Sequence, residues 1–567
     1  MKAILCALLW LPLFLLQSKV GCTLTANDEK SETSTRRPNI VFILADDLGH
    51  ADVGYSEGSH QTPTPNIDKL AWTGVILNRH YVNPLCTPTR SALLTGKYSF
   101  HTGIQNAIIP GEPWGVPLNL KLLPQHLKDL NYSTFMLGKW HVGCHTRQYL
   151  PGARGFDYWF GFPEGFSGMF HYTAGWPGTN RTGRQLYENG VQVPAECTNN
   201  NYFPELMLDK FEQIVHNAER DRPFYVHFAT PLPRANMEWD GATEKGVQHT
   251  MPQYSARPAV VAVSDEFPDR KRQLAQIQAL DEQVRRITNA LQNKGLLDNT
   301  IIVFAGDNGG SARIAGGNPW GINHASNWPL RQAKSTLFDG GIRTLAYVWS
   351  PIFKRPGGIV TDQLFSNTDW LPTLYEAAGG DPQALGGIDG VSHWQSLVSG
   401  SRQGPRQELP YLLNHAGTQR VLLYKEPTSG VLYKLLGTAF PSNTGWERTE
   451  GTTAANPMTT PTLVSIRCNH QEGVEQTPCQ PWLADCLFDL TNDPCETDNI
   501  AASHPEMVQL LTAKLAIHNA TNVPSLHRNY DPNSNPARFD GWLTPWMDPE
   551  PVRKPASCAP FNPSTAF

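Results

Sequence analysis

Five short, unbroken apolar runs constrain this chain more than any other feature. Ile40-Val41-Phe42-Ile43-Leu44 leads into Ala45-Asp46-Asp47, and residues 133–137 lead into Gly138-Lys139-Trp140-His141. Residues 224–228 lead into Ala229-Thr230-Pro231, and residues 300–304 into Ala305-Gly306-Asp307-Asn308. Residues 344–349 stop at Ser350-Pro351. A strand with one wet face alternates apolar and polar side chains. These runs do not, so they read as strands buried on both faces. Helical stretches separate them, at 66–77, 204–220 and 269–294. The last carries Leu274, Ile277, Leu280, Val284, Ile287 and Leu291 on one stripe and stops at Gly295. The alternation predicts an α/β fold with a large, mostly parallel sheet flanked by helices. Ligands of such sheets sit beyond the carboxyl ends of the strands. Three of those ends carry an acid pair, a Lys-His pair and an Asp-Asn pair.

The texture changes near residue 400. Segments 420–425 and 432–436 flank Pro427-Thr428-Ser429-Gly430 and read as a hairpin. A polar loop at 440–460, a strand from Cys486 and a helix at 505–518 follow. The expected layout is a signal peptide at 1–22, a polar segment at 23–37, a catalytic α/β domain at 38–400, a smaller domain with antiparallel sheet and helix at 401–525, and an extended tail at 526–567. The signal peptide rests on Lys2, the apolar run 3–16 and the small residues near Gly21. That run is short for a membrane span, so no stable span is expected. The net charge of −5 offers no basic field for nucleic acid. The secretory pathway, ending in a lysosome or outside the cell, also suits the ten cysteines. Outside the signal region and Cys86, seven remain: Cys144, Cys197, Cys468, Cys479, Cys486, Cys495 and Cys558. Their odd number implies a free thiol or an intermolecular bond. Sequence does not fix the pairing; Cys486 with Cys495 is the favoured pair, because Asn492-Asp493-Pro494 between them reads as a turn. Asn131, Asn180 and Asn519 open glycosylation acceptor triplets.

Asp46 and Asp47 are adjacent carboxylates that repel unless a cation neutralises them. Asp307-Asn308 ends a second strand in the same way. Together they form a hard-oxygen set suited to Ca²⁺ or Mg²⁺. Lys139 and His141 lie two apart, so in an extended segment both face one side. Pro84 and Pro88 mark the approach to a helix that begins at 91–94. Its free N–H groups would seat an anion. Arg90 would fall in its first turn, against the helix dipole, a placement that a role on an anion explains.

The segment Leu85-Cys86-Thr87-Pro88-Thr89-Arg90-Ser91, with Thr95-Gly96 after it, resembles the signature of the type I sulfatases, Cys-x-Pro-x-Arg followed by Thr-Gly. The likeness extends over about 38–520 and is arylsulfatase B-like at Pro329-Leu330-Arg331 and Asp369-Trp370-Leu371-Pro372. It implies an alkaline phosphatase-like sulfatase fold and a sulfuric ester hydrolase. Its implied substrates are sulfated carbohydrates, such as N-acetylgalactosamine 4-sulfate, or aryl sulfates. It implies that a formylglycine-generating enzyme converts Cys86 to Cα-formylglycine. It implies one Ca²⁺ held by Asp46, Asp47, Asp307, Asn308 and the modified Cys86. Arg90, Lys139 and Lys334 would stabilise charge on the sulfate, and His141 would serve the nucleophile.

One position departs from the pattern. The family has a histidine shortly after the strand at 224–228, where this chain reads Pro231-Leu232-Pro233 and then an apparent insertion at 231–246. His249, in Val247-Gln248-His249-Thr250-Met251-Pro252, is assigned the general-acid and sulfate-binding role, and His227 the core. Two other readings stay open: a phosphoester or phosphonate hydrolase of the same superfamily, and a non-catalytic secreted binding protein. The exact substrate, lysosome versus secretion, and the oligomeric state are not legible.

Overall fold

The computed structural model describes residues 36–56, 61–175, 181–235, 249–312, 322–353, 358–438, 445–446, 449–450, 464, 466–468, 474–549 and 558. The signal segment, residues 23–35 of the polar segment, Asn180, most of the 440–460 loop and the insertion from 236 therefore lie outside the described residues.

Ten strands form the main sheet. In chain order they are β1 (Asn39–Ala45), β2 (Val75–Leu77), β3 (Ser133–Lys139), β4 (Tyr158–Phe162), β5 (Tyr187–Glu188), β6 (Val191–Gln192), β7 (Phe224–Ala229), β8 (Thr300–Gly306), β9 (Ala346–Trp349) and β10 (Ile359–Thr361). Their spatial order is β10-β2-β9-β8-β1-β7-β3-β4-β5-β6. The central five, β8-β1-β7-β3-β4, are all parallel. The flanks turn antiparallel at β9 and β5. The principal helices are α1 (Pro65–Thr73), α2 (Cys86–Thr95), α3 (Phe203–Asn217), α4 (Pro268–Lys294), α5 (Trp370–Ala377) and α6 (Pro505–Asn519).

The unbroken apolar runs follow from two cores, one on each face. Val41 and Ile43 of β1 face Met207 and Phe211 of α3 and Leu274 and Leu280 of α4. Ile40, Phe42 and Leu44 face Leu93 and Leu94 of α2 and Trp370 and Leu371 of α5. With no wet face, no position of β1 from Ile40 to Ala45 selects a polar side chain.

Three elements differ from expectation. The helix expected at 66–77 ends at Thr73. Gly74 follows, and a Cβ there would lie 2.6 Å from Val348 O. Val75 and Ile76 then pair with Val348 and Tyr347 as β2, so sheet pairing overrides helical spacing. The run at 344–349 yields a strand only from Ala346, and an antiparallel one. β4, rich in aromatics, was not anticipated.

A second sheet, β11 (Glu408–Leu412), β12 (Arg420–Lys425), β13 (Leu432–Gly437) and β14 (Cys486–Asp489), is an antiparallel meander. One face packs on Tyr81, Phe338 and Ile342, the other on Leu511 and Leu515 of α6. Its tie to the rest of the molecule is ionic as well as apolar. Lys434 Nζ lies 2.8 Å from Asp339 Oδ1 and 2.6 Å from Glu496 Oε1, and none of the three side chains is exposed. Tyr81 also donates to Asp339, at 2.9 Å. Lys434→Met leaves buried Glu496 without its cation and Asp339 with only Arg343, 3.7 Å away, and is expected to cost ~3–5 kcal/mol. Urea unfolding measures it; Lys434→Met with Glu496→Gln should recover part of the loss. A single variant as stable as wild type overturns the expectation.

The disulfides are Cys197–Cys558, Cys468–Cys495 and Cys479–Cys486. The expected pair Cys486–Cys495 is not formed. The intervening turn exists, but the Asp489 carboxylate holds it by accepting from Thr491 N at 2.9 Å and Asn492 N at 3.1 Å. Cys486, at the start of β14, meets Cys479 instead. The odd seventh thiol, Cys144, is free and buried, 3.3 Å from Glu164 Oε1.

Candidate active site

β1 and β8 are paired in parallel with Ala45 opposite Gly306, so Asp46-Asp47 and Asp307-Asn308 leave the sheet at one end. The pairing continues one step, with Asp307 N donating to Ala45 O at 3.0 Å. Asp47 sits at φ 60° and turns back, so that its own N–H donates to Asp307 Oδ1 at 3.2 Å. β3 delivers Lys139 to the same end. Gly138 makes this possible: at φ 105°, a Cβ would stand 2.0 Å from Ala229 O.

Cys86 opens α2 directly, with Leu85 as N-cap. The helix thus begins earlier than the sequence suggested, and Arg90 is one full turn in, on the same face as Cys86. Pro88 is tolerated because first-turn N–H groups have no intrahelical partner. Arg90 is fully buried. Its Nε and one Nη donate to Asp307 Oδ2 at 3.2 and 2.8 Å, and its other Nη to Lys139 O at 3.1 Å. Placement against the dipole is therefore not its constraint; a buried ion pair is.

Lys139 Nζ donates to both oxygens of Asp46, at 2.9 and 2.8 Å. Lys334 Nζ contacts Asp47 Oδ1 and lies 3.3 Å from Cys86 Sγ. Cys86 Sγ is 3.8 Å from Asp46 Oδ1. Burial pushes the Cys86 thiol above its ordinary range, against the pull of Lys139 and Lys334. As a plain cysteine it stays a thiol, a poor nucleophile. Burial would raise the Asp307 carboxyl, but Arg90 and Lys139 hold it below the usual range. Burial also opposes the charge on Lys334, yet Asp47 and Cys86 raise it.

Atoms of Asp46, Asp47, Cys86 and Asp307 all lie within 4.8 Å of one another. Asn308 donates through Nδ2 to Asp47 Oδ1 at 2.7 Å and to Gly309 O at 2.9 Å. That leaves Asn308 Oδ1 a buried acceptor with no donor among the described residues, and Asp47 Oδ2 is in the same position. Orphaned, buried carboxylate and amide oxygens fit a hard divalent cation.

His141 is near Lys139 by a route the sequence did not suggest. β3 ends at Lys139, and His141 takes φ 62°, so strand alternation does not carry through. Its Nε2 lies 2.8 Å from Ile108 O, which can only accept, so Nε2 carries the hydrogen. Nδ1 is buried with no partner among the described residues. Burial, then Lys139, holds the ring neutral, well below the usual histidine range.

His227 lies in β7 at 2% exposure, with Tyr225 OH 3.0 Å from its Nδ1. It is a core residue, pushed down to about 3 by burial. His249 is half-buried, in the stretch leading into the helical turn Pro252–Ser255. The segment joining it to β7 from 236 lies outside the described residues.

Two residues at the site were not anticipated. Arg234 Nε lies 3.5 Å from Asp47 Oδ2 and 3.9 Å from Asp46 Oδ2. Asn323 donates through Nδ2 to Asp47 O at 2.8 Å and Pro233 O at 3.0 Å, tying two loops together. Arg234 stands beside Pro233 in a segment read as an insertion; its basic charge was the only available signal.

The sulfatase family model matches residues 38–380. Arylsulfatase J of Mus musculus is 32% identical over 535 residues, covering 93% of this chain and 84% of that protein. Arylsulfatase A of Homo sapiens is 29% identical, covering 84% and 86%. N-acetylgalactosamine-6-sulfatase of Mus musculus is 32% identical, covering 64% and 66%. Among solved structures, that of Ps i-CgsB superposes with a TM-score of 0.66 at 25% identity, covering 87% of this chain and 94% of the other.

Proposed function

The chain belongs to the sulfatase family, and from that premise we propose that it hydrolyses sulfate esters of sugars, with sulfated N-acetylgalactosamine as the leading class and aryl sulfates as accessible substrates. The observation that carries this is Cys86 at the first position of α2, 3.3 Å from Lys334 and 3.8 Å from Asp46. A thiol kept neutral by burial is ill suited to attack, so the site needs the formylglycine made from Cys86 during synthesis, before the fold encloses it. Hydrated formylglycine supplies a nucleophilic hydroxyl and a second one through which sulfate is released. Asp46, Asp47, Asp307 and Asn308 fit calcium, which supplies positive charge for the sulfate oxygens.

The chain's own residues do the rest. Asp46 and Asp307 lock Lys139 and Arg90 in place, so their charge meets the anion without reorganisation. Lys334 approaches Cys86 from the opposite partner, Asp47. Neutral His141, holding its hydrogen on Nε2, offers Nδ1 to take a proton. His249 is proposed as the donor to the departing oxygen. The three disulfides suit the secretory pathway, with a lysosome or the extracellular space as the destination.

The test combines two measurements on protein made through the secretory route. The peptide holding residue 86 should carry the mass of formylglycine or its hydrate. The same preparation should hydrolyse p-nitrophenyl sulfate and 4- or 6-sulfated N-acetylgalactosamine. An unmodified thiol, or faster turnover of p-nitrophenyl phosphate than of the sulfate, sinks the reading.

A further inference from the structure

Among the described residues, four cations surround the acid cluster and divide by exposure. Arg90 and Lys139 are enclosed, with side chains 1% and 0% exposed, against Asp307 and Asp46. Lys334 and Arg234 keep 14% and 13% of their side-chain surface, and so mark the open side of the site. Arg234 is held there by its backbone. Asp46 N donates to Leu232 O at 2.9 Å, and Arg234 N to Pro231 O at 3.1 Å. Asn323 secures Pro233 O. The guanidinium carbon lies 5.2 Å from the centroid of the Phe166 ring, a further constraint.

Charge counting gives this placement a purpose. Among the described residues, three carboxylates face four cations, an excess of one positive charge before any metal and three with a divalent ion. A largely enclosed site does not hold such an excess idly; an anion balances it. The inner pair, fixed by Asp307 and Asp46, lends its charge from beneath. The outer pair, on the open side, meets an arriving sulfate first.

We propose that Arg234 is a substrate-binding residue that, together with Lys334, grips the sulfate group of the ester at the mouth of the site, an inference that rests on the sulfatase reading above. A guanidinium offers two parallel N–H donors to tetrahedral oxygens, where a lysine offers a point charge. The grip forms with bound ester and persists to the transition state, so its loss raises KM more than it lowers kcat.

The experiment compares wild type with Arg234→Ala, Arg234→Gln and Arg234→Lys. Inorganic sulfate binding to the calcium-loaded protein is measured by calorimetry, and p-nitrophenyl sulfate kinetics and Tm are recorded alongside. The neutral variants should bind inorganic sulfate about 10–100-fold more weakly, with KM rising in step. Arg234→Lys should fall between them and wild type. Neutral variants that bind sulfate within about twofold of wild type overturn the proposal, even if Tm or formylglycine content drops, because a structural role alone would do that. Wild-type protein that binds sulfate but turns over no sulfate ester fails the functional reading instead; the binding ratio still decides Arg234.

Discussion

Cys86→Ala protein folds and loses sulfate ester hydrolysis, by about 10⁴-fold or more in kcat, since the covalent nucleophile is gone. Stability should hardly change. Alanine is the best helix former, the Sγ it removes is small, and position 86 lies in the first turn. Lys334 keeps Asp47, and Asp46 keeps Lys139, so no buried charge is stranded. Cys86→Ser should be nearly as inactive, because a single hydroxyl offers no second oxygen through which sulfate leaves. The check is kcat/KM on p-nitrophenyl sulfate beside a thermal melt. A folded Cys86→Ala protein retaining a tenth of wild-type turnover removes residue 86 from the chemistry.

Asp307→Asn should cost activity and stability together. Asp307 Oδ2 receives two donors from fully buried Arg90, and Asp307 Oδ1 receives Asp47 N. An amide cannot accept twice from a guanidinium with the same charge balance. Arg90 is left buried with only Asp46, 3.9 Å away and already held by Lys139, as counter-charge, at ~3–5 kcal/mol. Calcium affinity and kcat/KM should each fall by about 100-fold or more, because one anionic ligand and the orientation of another are lost together. Calcium removal from wild type should act differently. Each carboxylate already has a cation, Asp46 with Lys139, Asp47 with Lys334, and Asp307 with Arg90. Chelation should abolish turnover while leaving the fold intact, with loss of only the linkage stabilisation, ~2.7 kcal/mol at a hundredfold excess over Kd. Calorimetry with calcium, and urea melts with and without chelator, read both effects. Asp307→Asn protein with calcium affinity and turnover within a few-fold of wild type contradicts the assignment.

Lys434, Arg234 and Asp307 show where local reading stops. Lys434 sits in a hairpin legible from its turn residues, yet its partners lie at Asp339 and Glu496, in other segments. Arg234 carries no periodic or motif signal, because its position is fixed by hydrogen bonds from Asp46 and Asn323 to its loop. Strand alternation misjudged how His141 reaches the site, because β3 ends two residues earlier and the chain enters a left-handed turn. The cysteine pairing differs because a turn between Cys486 and Cys495 does not by itself bring their sulfurs together; in the fold Cys486 meets Cys479 and Cys495 meets Cys468.

What the chain dictated alone was whatever depends on neighbours within a few residues. This covers the doubly buried strands, the acids at their ends and the segment around Cys86, because backbone pairing and burial impose those patterns locally. What required the folded molecule was which charge faces which. Register between β1 and β8 puts Asp46 beside Asp307, and loop packing brings Arg234 to both Asp46 and Asp47. Those distances are set by contacts spanning hundreds of residues, and no local pattern encodes them.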